Sequence, residues 1–375
     1  MFTERKTKVS DKVYPPLSVT KQGIMPQLEH AAKSDDSDNR KLVCAGDFVI
    51  NSRSDRKGSC GLSDFTGSVS LINIALIPGD LLHKRYVHYL LGCHPFSEEY
   101  YRLGKGIVAD LWTTRFTEMK SIYIPVPPKD EQDQIARFLD WKITAIDKLI
   151  SIRREELRNL ADLRKALITR EVTRGNWECV RLKNVVRVRS EKGTYRDKTD
   201  DKYIGLENIR GYSDKLIETD TEYDTSTQSI CREGDLLFGK LRPYLAKVVI
   251  APYDAFCTGE LLIISGFDGD MRYLRYVMLS HDFITEVDSS TYGAKMPRAN
   301  SAFILNISIP IPPTTEQKRI ANYLDRICTR IDSAMTNFTQ QIDTLKELKA
   351  RLISDTVTGK IDVRNITVPE QEKKS

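Results

Sequence analysis

The stretch IPVPPKDEQDQIARFLD (residues 124–140) is written a second time as IPIPPTTEQKRIANYLD (309–325), with ten of seventeen positions identical. The offset of 185 residues is close to half of the 375-residue chain. It runs on without a gap through Thr144/Thr329, Asp147/Asp332, Leu160/Leu345 and Val172/Val357. Upstream, with small insertions, Gly46-Asp47 matches Gly234-Asp235, Arg85-Tyr86 matches Arg272-Tyr273, and Phe96 matches Phe283. A period of that size marks a duplicated domain-sized unit.

Each copy opens with a globular part, 1–128 or 176–308, in which β-branched and aromatic runs such as VSLINIALI and ELLIIS alternate with Gly, Asp and Pro turns. That pattern predicts a β-rich α+β domain. HKRYVHYLLGC and DMRYLRYVMLS read as matching short helices within it, with stripes that belong to the core. After each double proline comes a long segment without Pro or interior Gly, 130–172 and 315–357, the length of a helix of about 64 Å.

Apolar residues recur there at heptad spacing. The first copy has Ala136, Leu139, Ile143, Ile146, Ile150, Arg153, Leu157, Leu160, Arg164 and Leu167; the second has Ala321, Leu324, Cys328, Ile331, Met335, Phe338, Ile342, Leu345, Lys349 and Leu352. The two helices are expected to bury these seams against each other as an intramolecular coiled coil. The boundaries follow: domain 1–128, long helix 129–175, domain 176–308, long helix 309–360 and a tail 361–375.

PPKDEQ and PPTTEQ are helix-entry signals, because proline stops the preceding strand and acidic residues favour the positive end of the helix dipole. Thr314 with Gln317 would form a capping box, and Asp130 would cap the first helix. Capping does not explain why Glu-Gln is kept in both copies; a shared contact surface would.

The composition narrows the functional classes. A net charge of +5, with segment charges between −2 and +3, excludes a uniformly basic surface, so nucleic acid would meet local clusters such as Arg181, Lys183, Arg187, Arg189 and Lys192. The seven cysteines form no CxxC and no zinc-ligand spacing, and read as reduced and structural. No apolar run approaches the length of a membrane span and no signal peptide opens the chain, which predicts a cytoplasmic protein without membrane contact. No phosphate loop, glycine-rich S-adenosylmethionine loop, or NPPF or DPPY tetrapeptide is present, which argues against an enzyme. Glu316-Gln317-Lys318 formally resembles the end of a nuclease motif but lies at a helix start without a suitable aspartate on a preceding strand.

At Pro127-Pro128 with Glu131-Gln132 and Ile135, at Pro312-Pro313 with Glu316-Gln317 and Ile320, and at the terminal phrase Val357 to Arg364, the chain resembles the specificity (S) subunits of type I restriction-modification systems. GDLLFGKLRPYLAKV (234–248) and TYGAKMPRA (291–299) strengthen the resemblance. It implies two target-recognition domains, each binding one half of a split target in double-stranded DNA, with the helices packed antiparallel as a spacer. A helix pair of roughly 50 to 60 Å spans about 15 to 18 base pairs. It also implies two methyltransferase (M) subunits docked on the helices, translocase-nuclease (R) subunits joining the complex, and a chain with no catalytic residue, cofactor or metal of its own. A protein-binding coiled-coil scaffold and a truncated, inactive S subunit remain as alternatives.

Major-groove reading needs Arg or Lys on guanine edges, Asn or Gln on adenine, and hydroxyl or basic groups on phosphate. The candidates in the second copy are Lys240, Arg242, Tyr244 and Lys247, after the strand DLLF, with Lys295 and Arg298. In the first they are Arg53, Arg56 and Lys57, beside Asn51 and Ser52 after DFVI, with Lys105 and Arg115. Glu131, Gln132, Glu316 and Gln317 are the docking candidates for the methyltransferase subunits. The counterpart of NWECVRLKNV (176–185) would fall before residue 1, so the first domain is expected to lack its opening strand, through a late start or a truncation.

Overall fold

The structure, a computed structural model, describes residues 1–27, 37–106, 112–195, 202–219, 227–293 and 296–369. It divides into two compact units, Met1–Arg153 with Gln340–Ser375, and Arg154–Thr339. The described helices, in chain order, are α1 (Lys84–Gly92), α2 (His94–Arg102), α3 (Phe116–Met119), α4 (Lys129–Thr173), α5 (Met271–Leu279), α6 (His281–Ser289), α7 (Ser301–Asn306) and α8 (Thr314–Val357). The fold is α+β, and each unit holds a segment of both long helices.

The first unit is built on a four-stranded sheet in the order Phe2–Glu4, Asn73–Pro78, Phe48–Asn51, Cys60–Leu62, all antiparallel. A second sheet joins Lys8–Val9, Arg40–Val43 and Gly67–Val69, and Leu17–Thr20 pairs with Gly23–Pro26 as a hairpin. The second unit repeats the first sheet as Val186–Val188, Leu261–Phe267, Leu236–Gly239, Val248–Ile250. The central strands Phe48–Asn51 and Leu236–Gly239 are apolar on both faces because both are covered, and their side chains are almost wholly buried.

One turn is reproduced atom for atom. Gly46 and Gly234 take φ values of +93° and +86°, a conformation costly for any side chain. The aspartate that follows each glycine folds back to accept the backbone N–H of Cys44 at 2.9 Å or of Arg232 at 2.8 Å. The same carboxylates, Asp47 and Asp235, receive Arg5 at 2.6 Å and Arg189 at 2.7 Å. Arg189, expected as part of a basic DNA-facing cluster, is therefore held in a structural ion pair within its own unit.

The long helices run antiparallel within each unit. In the first, Asp147 meets Lys349 at 2.7 Å while Gln134 donates to the carbonyls of Val363 and Ile366. In the second, Arg164 grips Asp332 with two hydrogen bonds, at 2.6 and 3.0 Å. None of the twenty heptad positions is exposed. One detail departs from the expected seam: the last turns of α4 bury Arg164, Ile168 and Val172, so Ile168 replaces Leu167 as the inward residue. The reason is a change of partner, since Ile168 and Val172 belong to the second unit's core with Leu236, Phe238 and Leu274.

The expected side-chain caps are also corrected. Both helices begin directly after the double proline, so Asp130 and Thr314 lie inside the first turn. The carbonyl of Pro128 accepts from the N–H groups of Glu131 and Gln132, and that of Pro313 from those of Glu316 and Gln317.

Candidate nucleic-acid interface

Two features recur in both units: a joint that seats each long helix on its domain, and a pair of loops that come together beyond the central strand.

The joint uses the repeated phrase almost completely. Gln132 is 0% exposed; its Oε1 accepts from the N–H of His83 at 2.8 Å, and its Nε2 donates to the carbonyls of Leu81 and Pro127. Gln317, 1% exposed, accepts from the N–H of Asp270 at 2.9 Å and donates to the carbonyl of Pro312 at 2.9 Å. About two helical turns further on, Asp140 accepts from Tyr89 at 2.6 Å and pairs with Arg85; Asp325 accepts from Tyr276 at 2.8 Å and from Arg272 at 2.7 Å. Tyr86 and Tyr273, fully buried, each donate at 3.0 Å to a proline carbonyl, of Pro125 and Pro310.

These placements correct one expectation: Gln132 and Gln317 are not docking surface, because their amides are buried and committed to backbone groups of their own unit. A buried amide with its hydrogen bonds made is expensive to replace, which accounts for its presence in both copies. Glu131 and Glu316 are only partly buried, and Arg319 beside Glu316, at 2.7 Å, holds that carboxyl below its ordinary range. The residues that sequence reasoning missed are Arg85, Tyr89, Asp140, Arg272, Tyr276 and Asp325. The signal was available as Arg-Tyr-x-x-Tyr and Leu-Asp motifs matched between the two copies.

The loops lie at the far end of the central strands. In the second unit the chain leaves Gly239 and runs beside Tyr292 and 297–299: the N–H of Lys240 donates to the carbonyl of Glu260, that of Arg242 to Pro297 at 2.7 Å, and that of Ala299 to Lys240. Isolated bridges tie Leu241 to Arg298 and Tyr292 to Arg298. The first unit has the same pair of bridges, Arg53 to Thr113 and Lys105 to Thr113. Lys240, Arg242, Tyr244 and Arg298 are thus brought onto one set of adjoining loops, as are Arg53, Lys105 and Arg115. Lys295 lies outside the described residues.

The local chemistry separates the candidates. Burial lowers the Lys240 ammonium from its ordinary pKa, against the opposing pull of Glu260. Lys247 is lowered by burial too, and its Nζ donates to the carbonyl of Leu206, so it serves the fold. Arg298 pairs with Glu260. In the first unit Arg53 pairs with Asp55 at 2.9 Å, Lys57 with Glu98 at 2.7 Å and Lys105 with Glu118 at 3.5 Å. Arg56 and Arg115 are exposed.

The second loop is also strained. Arg242 and Ala246, at φ +50° and +47°, flank the short turn Pro243–Leu245, and Tyr212, at φ +57°, donates its N–H to the carbonyl of Ala246. Among the described residues these are the three non-glycine positions with positive φ. Left-handed L-residues cost about 1–2 kcal/mol each, and such strain gathers at functional sites. It pushes Tyr244 and Leu245 outward, where both are exposed. Among the described residues no group of His, Cys, Asp or Glu could hold a metal ion, and no helix is long and apolar enough to cross a membrane.

The chain belongs to the family described as the type I restriction modification DNA specificity domain, whose model matches residues 31–159 and 174–346. It is 25% identical over 280 residues to the type I restriction enzyme MjaVIII specificity subunit of Methanocaldococcus jannaschii, an alignment covering 66% of this chain and 64% of that one. It is 26% identical over 180 residues to the EcoDI specificity subunit of Escherichia coli, covering 44% of this chain and 40% of the relative. The matched part thus spans less than two thirds of either relative. In fold it resembles a chain from a study of complex assembly and conformational transition in a type I R-M system, at 15% identity and TM-score 0.70 over 96% of this chain and 98% of that one. It also resembles the HsdS subunit from Thermoanaerobacter tengcongensis, at 17% identity and TM-score 0.52 over 93% and 91%.

Proposed function

We propose that this chain is the DNA-specificity subunit of a type I restriction-modification complex, reading a two-part target with one half-site per unit and carrying no chemistry itself. The observation that carries the reading is the repeated loop pair: the same two bridges hold corresponding loops together in both units of a chain from a DNA-specificity family. The loops 240–246 and 296–300 present Arg242, Tyr244 and Arg298, and the loops around 53–56 and 112–115 present Arg53, Arg56 and Arg115. Arginine suits guanine edges and phosphate, and an exposed tyrosine suits packing against a sugar or base. Lys240 supports its neighbours from a half-buried position, and Lys57 and Lys105 contribute where DNA displaces their carboxylate partners.

The two long helices set the number of unread base pairs between half-sites. Methyltransferase subunits dock on the helix entries near Glu131 and Glu316, and restriction subunits join through the assembled complex. Adenine methylation and ATP-dependent cleavage are then activities of those partners.

The test is co-expression of the full chain with its methyltransferase subunit, followed by mapping of methylated adenines. Exchanging loops 240–246 and 291–300 for those of another specificity subunit is expected to alter one half-site and leave the other unchanged. A methylated sequence unaffected by the exchange would contradict the assignment, as would magnesium-dependent DNA cleavage by the purified chain alone.

A further inference from the structure

The two loop pairs share a backbone and differ in charge at the place where the loops meet. In the second unit the ladder of the central strand runs on past Gly239: the N–H of Lys240 donates to the carbonyl of Glu260, that of Ala299 to the carbonyl of Lys240, and Tyr292 and Arg298 bond to each other through both main-chain groups, at 3.4 and 3.2 Å. In the first unit the N–H of Thr114 donates to the carbonyl of Ser52, and Lys105 and Thr113 bond to each other in the same way, both at 3.1 Å. Strand register and the isolated bridges align Lys240 with Ser52, Glu260 with Ile72 and Arg298 with Thr113. Three charged side chains stand where the other unit has a serine, an isoleucine and a threonine.

The neutral set is enough to close the loops, with the Ser52 hydroxyl donating to the carbonyl of Ile72 at 2.6 Å. The charges of the second unit are therefore not needed to build this geometry, and they are costly in it. Glu260 is only 28% exposed; its Oε1 accepts from Arg298 Nη2, while Oε2 is screened from solvent and has no hydrogen-bond partner among the described residues. Lys240 is half-buried in the field of the same carboxylate. A partly desolvated carboxylate held by so few bonds opposes folding, so its contribution lies in what it does to Arg298. The ion pair engages Nη2 and leaves the remaining donors of a rigid, planar fork to face a ligand. The adjacent negative charge repels phosphate but not the oxygen and nitrogen acceptors on a guanine edge.

We propose that Glu260 is a positioning residue that sets the specificity of the second unit: it fixes the Arg298 guanidinium for a guanine edge in the second half-site and keeps that arginine off the phosphates. This rests on the reading of DNA by the loop pairs. The main chain of Arg298 is held between Leu241 and Tyr292, and the carboxylate holds its side chain, so the guanidinium meets the base with little freedom left to lose.

The second half-site is the part of the mapped methylation target that changes when loops 240–246 and 291–300 are exchanged. The complex of the full chain with its methyltransferase subunit is titrated, at several salt concentrations, with the mapped duplex and with duplexes in which each base pair of that half-site is exchanged in turn. Arg298→Ala is expected to lose about tenfold in discrimination at one G·C pair, with its salt dependence unchanged. Glu260→Gln, which keeps the shape and removes the charge, should lose about tenfold at the same pair and bind unrelated duplex DNA about threefold more tightly. The proposal is overturned if Glu260→Gln keeps the parent's discrimination where Arg298→Ala loses it, or if Glu260→Gln lowers the melting temperature and weakens all duplexes alike, the mark of a purely structural role. It is also overturned if Arg298→Ala weakens every duplex equally with a shallower salt slope, the mark of a phosphate contact. If neither Arg298→Ala nor the loop exchange alters any position, the reading by these loops fails, and the proposal with it.

Discussion

The two units agree most closely where the helices are seated and least where the loops meet. At the joints, Gln132 and Gln317, Tyr86 and Tyr273, and Asp140 and Asp325 make corresponding bonds to corresponding groups. At the loops the second unit carries left-handed Arg242 and Ala246, whereas the first has a short turn, Ser54–Arg56, without positive φ at a non-glycine residue. On the proposed function, a part that holds one geometry is reproduced, and a part that reads a different half-site has room to diverge.

The largest expected effect tests the joint. Gln132→Ala removes three hydrogen bonds and leaves buried backbone groups without partners, a loss of about 2–4 kcal/mol. Gln317→Ala should follow closely, and denaturant titration of each variant checks the symmetry. A loss well under 1 kcal/mol at both would break the comparison.

The helix pair offers a contrast of burial. Asp332→Ala strands the buried Arg164 guanidinium, whose side chain is 8% exposed, and should cost about 1–3 kcal/mol. Asp147→Ala breaks an exposed pair with Lys349 and should cost under about 0.5 kcal/mol. Equal losses would mean that the two halves of the helix pair are solvated alike.

The clamp comes next. Tyr89→Phe and Tyr276→Phe each delete a charge-assisted hydrogen bond worth about 1–2 kcal/mol, and a double-mutant cycle with Asp140→Ala or Asp325→Ala should show that coupling in both units.

The strained loop offers a further test. Arg242→Gly should be more stable than Arg242→Ala by about 1 kcal/mol, because only glycine takes φ +50° without penalty. Both variants should weaken binding to methylation-site DNA about tenfold or more, measured by fluorescence anisotropy at fixed salt. Binding equal to the parent would remove Arg242 from the interface.

Much of this architecture was legible because duplication turns one sequence into an alignment of two. The long helices, their seams and the matched globular parts all follow from periodicity and offset. The purpose of the Glu-Gln pair did not. Exposure cannot be read from a polar residue's identity, and the surface reading failed for Gln132 and Gln317 because the groups they satisfy, the N–H groups of His83 and Asp270, lie about fifty residues upstream. The strain in LRPYL was equally hidden, since neither Arg242 nor Ala246 announces a left-handed backbone. Lys247 followed the charge pattern of a DNA contact, yet its local partner is the Leu206 carbonyl.

On the proposed function the joints connect reading loops to spacing helices, and one measurement addresses that division directly. Seven residues, one heptad, are removed from the middle of α4 and from the facing part of α8, and the methylated sites are mapped with the methyltransferase subunit present. At about 1.5 Å per residue and 3.4 Å per base pair, the account predicts unchanged half-sites and a spacer shorter by about three base pairs. An unchanged spacer, or altered half-sites, would contradict it.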